Sequence, residues 1–212
     1  MRALLALSLV VTLAACAGGP ATPDWQIGAQ AALKNFEAAY LAGNTRVADA
    51  EFARARAELA STGRADLVAR AELVRCAAQV ASLDFNECPG FTALAADASA
   101  PERAYAAFLS GNWQGLDVNA LPAQHRAVVS GTGSVLPEDP FSRLVAAGAL
   151  FRAGRIGPAG IAAATESASA NGWRRPLLAW LGVQAKRADN AGDTESAARI
   201  RRRIELVSGG SR

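Results

Sequence analysis

From residue 23 to the end, the chain alternates amphipathic runs of helical period with short polar or glycine-bearing breaks. Pro23-Asp24 opens the pattern. Leu33, Phe36 and Tyr40 fall at i, i+3 and i+7, one face of a helix, and Gly43-Asn44 ends it. Val47, Phe52, Ala55 and Leu59 mark a second helix, stopped by Ser61-Thr62-Gly63. Leu67, Leu73, Val74 and Val80 mark a third, from about Ala65 to Ser82. Pro101-Glu102 opens another that Gly111 closes, and Asp139-Pro140 is an N-cap with proline at the first helical position, leading Phe141–Ala153 to Gly154. Ala159–Ala170, Pro176–Ala191 and Thr194–Val207 complete the series, separated by Asn171-Gly172 and Gly192-Asp193. The pattern predicts nine or ten helices and no sheet.

The stops repeat. Ala42-Gly43-Asn44, Ser110-Gly111-Asn112, Ala153-Gly154-Arg155 and Ala191-Gly192-Asp193 each place a small residue, a glycine and a polar residue between two helices. Gly43 and Gly111 are 68 residues apart, twice 34, and the later intervals are 43 and 38. Residues 29–62, with Ala48, Phe52 and Ala55 in small-large-small order, resemble the tetratricopeptide repeat, whose helix pairs recur every 34 residues. The unit departs from that family where it carries Ala32, Asn35-Phe36, Ala39 and Ala60 in place of the family's tryptophan, Leu-Gly pair, tyrosine and proline. The resemblance implies an all-α fold of antiparallel helix pairs stacked as a short tetratricopeptide-like solenoid. An irregular α-helical bundle is the alternative. Stacked pairs would create a concave groove suited to extended peptides.

Composition agrees with helices. Alanine supplies 51 of 212 residues, against 13 valines and 5 isoleucines, so the best helix former dominates and strand formers are scarce. Hydrophobic residues at 51% and charged ones at 19% exclude a disordered chain. The net charge of +3 is unevenly spread. Residues 24–97 sum to −3, residues 98–170 balance, and residues 171–212 sum to +5.

The first residues suggest a destination. Met1-Arg2 is a minimal basic start, and Ala3 to Leu13 is an apolar run of 11 residues. That is too short to span a bilayer, which takes ~20, and suited to the core of a signal peptide. It ends in Leu13-Ala14-Ala15-Cys16, which resembles the lipobox of bacterial lipoproteins. The resemblance implies a signal peptide over 1–15 and acylation of Cys16. A flexible tether follows over 16–22, then a single α-helical repeat domain over 23–207 and a disordered tail over 208–212. Ala17, where that family often carries aspartate in proteins kept at the inner membrane, points to the outer membrane, with the body facing the periplasm.

Chemistry is sparse. The single histidine, His125, lies beside Arg126 with no serine locally placed for it, and is expected to be a surface or half-buried structural residue. One histidine argues against a zinc site, and no metal or cofactor is expected. Ser130-Gly131-Thr132-Gly133-Ser134 lacks the ending and the preceding strand of a phosphate loop and is expected to be a connector. Glu138-Asp139 suggests an acid/base pair only until Asp139 is assigned its capping role. Trp180 belongs to the core. Trp113 and Trp173, the latter followed by Arg174, are candidate binding anchors, or plugs at helix junctions. In the last helix Arg199, Arg202 and Arg203 share one face, while Ile200, Ile204 and Val207 share another. That leaves a solvated basic face able to meet anionic headgroups or an acidic partner, with no nucleic acid expected.

With Cys16 acylated two thiols remain, Cys76 and Cys88, in an oxidising compartment, and a structural disulfide between them is expected. Two free cysteines in separate helices are the alternative. The resulting expectation is a non-catalytic, periplasm-facing outer-membrane lipoprotein, held by its lipid anchor and acting as a protein-binding adaptor or assembly factor for envelope partners. Pilus-assembly pilotins share that design. A peptidoglycan- or glycan-binding envelope module is the alternative, and an enzyme without a recognisable motif is the third reading.

Overall fold

All four repeated stops end helices, and each of their glycines adopts a left-handed backbone, with φ of 88° at Gly43, 74° at Gly111, 68° at Gly154 and 71° at Gly192. The requirement is doubly strict at Gly111, where a Cβ would also lie 3.0 Å from the backbone nitrogen of Ala153. A computed structural model describes residues 22–131 and 136–209. Its helices are α1 Asp24–Ala42, α2 Thr45–Ala60, α3 Ala65–Ala81, α4 Pro89–Thr92, α5 Ala100–Ser110, α6 Ala123–Ser130, α7 Pro140–Arg152, α8 Pro158–Ala170, α9 Arg174–Asn190 and α10 Thr194–Gly209. A 3-10 turn covers Val118–Ala120, and there is no strand among the described residues. The expected signal peptide and Cys16 lie outside the described residues, as does most of the tether and of the connector after Ser130.

The fold is all-α and resembles a helical repeat closed into a bundle. α1 and α2 form an antiparallel pair, α9 and α10 another, and α7, α8 and α9 pack in succession. α3 joins the halves. Its Val68, Ala71 and Ala78 belong to a core shared with Phe36, Tyr40 and Phe52 of α1 and α2. Its Leu73, Cys76, Ala77 and Val80 belong to a larger core with Phe108, Leu144, Leu150, Trp180 and Leu181. Packing of α3 on α7 and of α1 on α9 carries contacts beyond nearest neighbours in sequence.

Three ties hold these elements, two of them polar links across the bundle and the third a local covalent bridge. The indole Nε1 of Trp180, a side chain without exposed surface, donates to the Ala81 carbonyl at 3.1 Å. Arg175 Nε donates to the Tyr40 carbonyl and its Nη2 to Thr45 Oγ1, both at 2.7 Å, with the guanidinium 4.2 Å from the Tyr40 ring centre. Cys76 and Cys88 form a disulfide, with Cα atoms 5.8 Å apart, so the turn after α3 is stapled to its last two turns as expected. A loop of about this size contributes about 3 kcal/mol in the chain-entropy account.

Two expectations need correction. α10 continues to Gly209, past residue 207, because the apolar stripe ends at Val207 while nothing in Ser208-Gly209 breaks the backbone ladder. His125 is neither at the surface nor half-buried. It keeps 2% of its surface exposed and stacks on Phe108 and Tyr105, with ring centres 4.8 and 5.7 Å away.

Candidate binding groove

On α3, Leu67, Arg70 and Val74 recur at i, i+3 and i+7, a stripe that the core leaves partly open. α1 flanks it on one side and α5 on the other. Between α3, α5 and the 118–122 turn lies a cavity of about 360 Å³, walled by Leu73, Val74, Pro101, Tyr105, Leu121 and Pro122. Between α1, the end of α2 and α3 lies a second, of about 350 Å³, walled by Trp25, Ala29, Leu33, Leu59 and Leu67, with the Gln26 and Gln30 amides on its rim. Arg70 lines both, so the two adjoin along the open face of α3.

The charges in the groove are held in place. Arg70 donates to Glu102 Oε1 from Nε at 3.2 Å and from Nη2 at 3.1 Å, while its own side chain stays 67% exposed. The other carboxylate oxygen of Glu102 accepts the Ser99 amide at 2.8 Å, the N-terminal cap of α5. One buried carboxylate thus both caps a helix and orients the groove's central cation. At the far end Arg64 grips Asp66 through two hydrogen bonds, at 3.2 and 2.7 Å, which hold that carboxyl below its usual range. Burial pushes the Tyr105 phenol well above its ordinary range, and the negative charge of Glu37 adds to the effect.

Behind Tyr105 the wall is an aromatic stack. Phe108 lies against Tyr105, His125 and Trp113 with interplanar angles of 14°, 27° and 9°. Burial lowers the His125 pKa to about 4, against a smaller opposing influence of Asp139, so the imidazole is neutral at pH 7. Its ring is committed to packing. Asp139 caps α7 through the Ser142 amide at 2.7 Å, as its sequence position indicates.

The tryptophans singled out by sequence sit elsewhere. Trp113 donates from Nε1 to the Phe108 carbonyl at 3.0 Å, stacks on that ring, and carries the Arg155 guanidinium 4.7 Å from its ring centre. Trp173 is half-buried at the start of α9 and packs against both cores. Arg174 donates to the Ser208 carbonyl of α10 at 3.3 Å. All three therefore tie elements together. The groove residues Trp25, Arg70, Val74 and Tyr105 went unremarked as a site in the sequence. The signal available was the i, i+3, i+7 spacing of Leu67, Arg70 and Val74, with an arginine in the middle of an otherwise apolar stripe.

Among the described residues, no group of three or more His, Cys, Asp or Glu side chains is placed to hold a metal ion, and no helix is long and apolar enough to cross a membrane. The groove offers apolar surface, two amides and two oriented guanidiniums, those of Arg64 and Arg70. Comparison with family models, curated proteins and solved structures finds no match for the chain.

Proposed function

We propose that the chain is a non-catalytic binding protein of the bacterial envelope, anchored by an acylated Cys16 to the outer membrane on its periplasmic side. Its groove along α3 receives an extended, largely apolar stretch of a protein partner. The observation that carries this reading is the pair of adjoining cavities sharing Arg70. A compact small molecule fills one pocket, whereas an extended chain runs through both. It buries apolar side chains against Leu67, Val74 and Tyr105 while Gln26, Gln30 and Arg70 bond its backbone. The Cys76–Cys88 disulfide suits an oxidising compartment, and Leu13-Ala14-Ala15-Cys16 suits lipoprotein processing.

The test uses the tagged, full-length protein recovered from crosslinked envelopes. Leu67→Arg and Val74→Arg, both at half-exposed positions, fill the groove with charge and are expected to abolish recovery of the partner at unchanged protein level. Undiminished recovery overturns the groove reading. Sedimentation with purified sacculi in place of any protein partner gives the site to a glycan. For the anchor, Cys16→Ser is expected to leave an unlipidated or uncleaved product, and normal mobility in outer-membrane fractions contradicts it.

A further inference from the structure

α10 is the helix that the core uses least. Of its side chains only Ala197 is fully buried, and Ile200, Ile204 and Val207 are half-buried towards α9. On the opposite arc Arg199, Arg202, Arg203 and Leu206 fall at i, i+3, i+4 and i+7, and all four are exposed. Leu206, at 77%, is the most exposed large hydrophobic side chain among the described residues. Arg201 is neutralised by Asp189 at 2.8 Å, and Arg199 has a long contact with Glu195 at 3.9 Å. Arg202 and Arg203 have no acidic partner among the described residues. Glu195 and Glu205 are the acidic groups of α10 itself. Across α9 and α10, residues 174–209, eight cationic side chains face four acidic ones, a net +4.

We propose that this outward face of α10 docks on an anionic phospholipid bilayer surface, with the guanidinium groups on headgroup phosphates and Leu206 reaching the acyl boundary. Arginine's planar fork matches phosphate, so charge complementarity selects a phosphate-bearing partner. Shape selects a flat one. The face is a convex ridge of a single helix, which meets a plane along its length but does not enclose a peptide. The apolar stripe of α10 is already spent on α9, so contact is electrostatic with one apolar tooth, and does not amount to insertion of an amphipathic helix. A basic side chain near an anionic membrane gains about 1 kcal/mol, or about fivefold in affinity. The inference is independent of the anchor, since it concerns the folded body alone.

Cosedimentation of the full chain carrying Cys16→Ser tests it, using vesicles of phosphatidylcholine with and without phosphatidylglycerol. Any association through the apolar leader is common to both vesicle types and to all variants. The anionic vesicles are expected to bind more chain, and the excess is expected to vanish at high salt. Arg202→Glu with Arg203→Glu is expected to reduce the excess by at least about 25-fold. Lys34→Glu with Arg46→Glu, the same change of net charge at exposed sites on α1 and α2, is expected to leave most of it. Equal loss in the two double variants overturns the assignment to α10. Equally tight, salt-sensitive binding of a DNA duplex or a polyglutamate peptide at matched charge overturns the commitment to a bilayer.

Discussion

Gly148 is where the α3–α7 seam is most exposed to a single change. It lies in the interior of α7, and a Cβ built there would sit 2.1 Å from the Val80 carbonyl oxygen, 2.8 Å from its carbon and 2.9 Å from Val80 Cγ1. The nearest obstacle is main chain in mid-helix, so no rotamer change relieves it. To reach even 3.0 Å the two helices must part by about an ångström, and a gap of that size forfeits a quarter to a half of each dispersion contact it opens. The seam separates in the middle of the larger core, beside Ala77, Val80, Ala146 and Ala147, all at most 2% exposed. Overpacking of this kind costs typically 1–3 kcal/mol and sometimes more, against a helix-propensity gain of about 1 from replacing glycine by alanine. Because the obstacle is main chain, we expect the upper end of that range, a net loss of about 2 kcal/mol for Gly148→Ala, lowering Tm by roughly 4–8 °C for a chain of this size. Gly182 in α9 is the internal control, because no atom lies within 4 Å of its added Cβ, and Gly182→Ala should gain up to about 1 kcal/mol. Urea unfolding followed by circular dichroism measures both. Equal stability of Gly148→Ala and the parent, with Gly182→Ala behaving as expected, would refute the close packing of α7 on α3.

The remaining predictions concern ties and titration. Replacing Cys76 and Cys88 together by serine should lower stability by about 3 kcal/mol, and the intact mass of the parent should rise by about two daltons on reduction; no mass change would mean no bridge. His125 has a folded pKa of about 4 against an ordinary 6.5, so the folded protein binds fewer protons than the unfolded chain between those values. Stability present above pH 6.5 should therefore be lost as pH falls towards 4, by about 3 kcal/mol in total. His125→Phe should flatten that part of the stability profile; an unchanged slope would place the titrating group elsewhere. Arg175→Met, which removes both hydrogen bonds to α1 and α2 and the stacking on Tyr40, should cost about 2 kcal/mol in urea unfolding, and a loss below a few tenths would show the tie to be idle.

What the sequence disclosed and what it withheld follow one physical division. Local devices were legible. The four glycine stops, the Asp139 cap and the core position of Trp180 each depend on a few neighbouring residues, and the Cys76–Cys88 bridge spans a single turn. Partners distant in the chain were not. Periodicity says that Leu67, Arg70 and Val74 share a face, but not that α1 and α5 will rise on either side to make it a groove. Likewise nothing near Arg175 announces Tyr40, and nothing near Gly148 announces the Val80 carbonyl. The 3-10 turn over 118–120 is too short to establish a period, so the stretch of wall made by Ala120, Leu121 and Pro122 was invisible. His125 looked exposed because Gln124 and Arg126 flank it, yet one position in an eight-residue helix is enough to turn inward onto Phe108.

A photo-activatable side chain at Val74 tests the central claim most directly, with a second variant carrying it at Ala57 on the exposed side of α2. Irradiation of intact cells should join a protein partner to the Val74 probe and not to the Ala57 probe, and proteolytic mapping should place the attachment in an extended, apolar segment of that partner. Identical products from the two positions, or none from Val74 while the protein is folded and abundant, would contradict a ligand groove along α3.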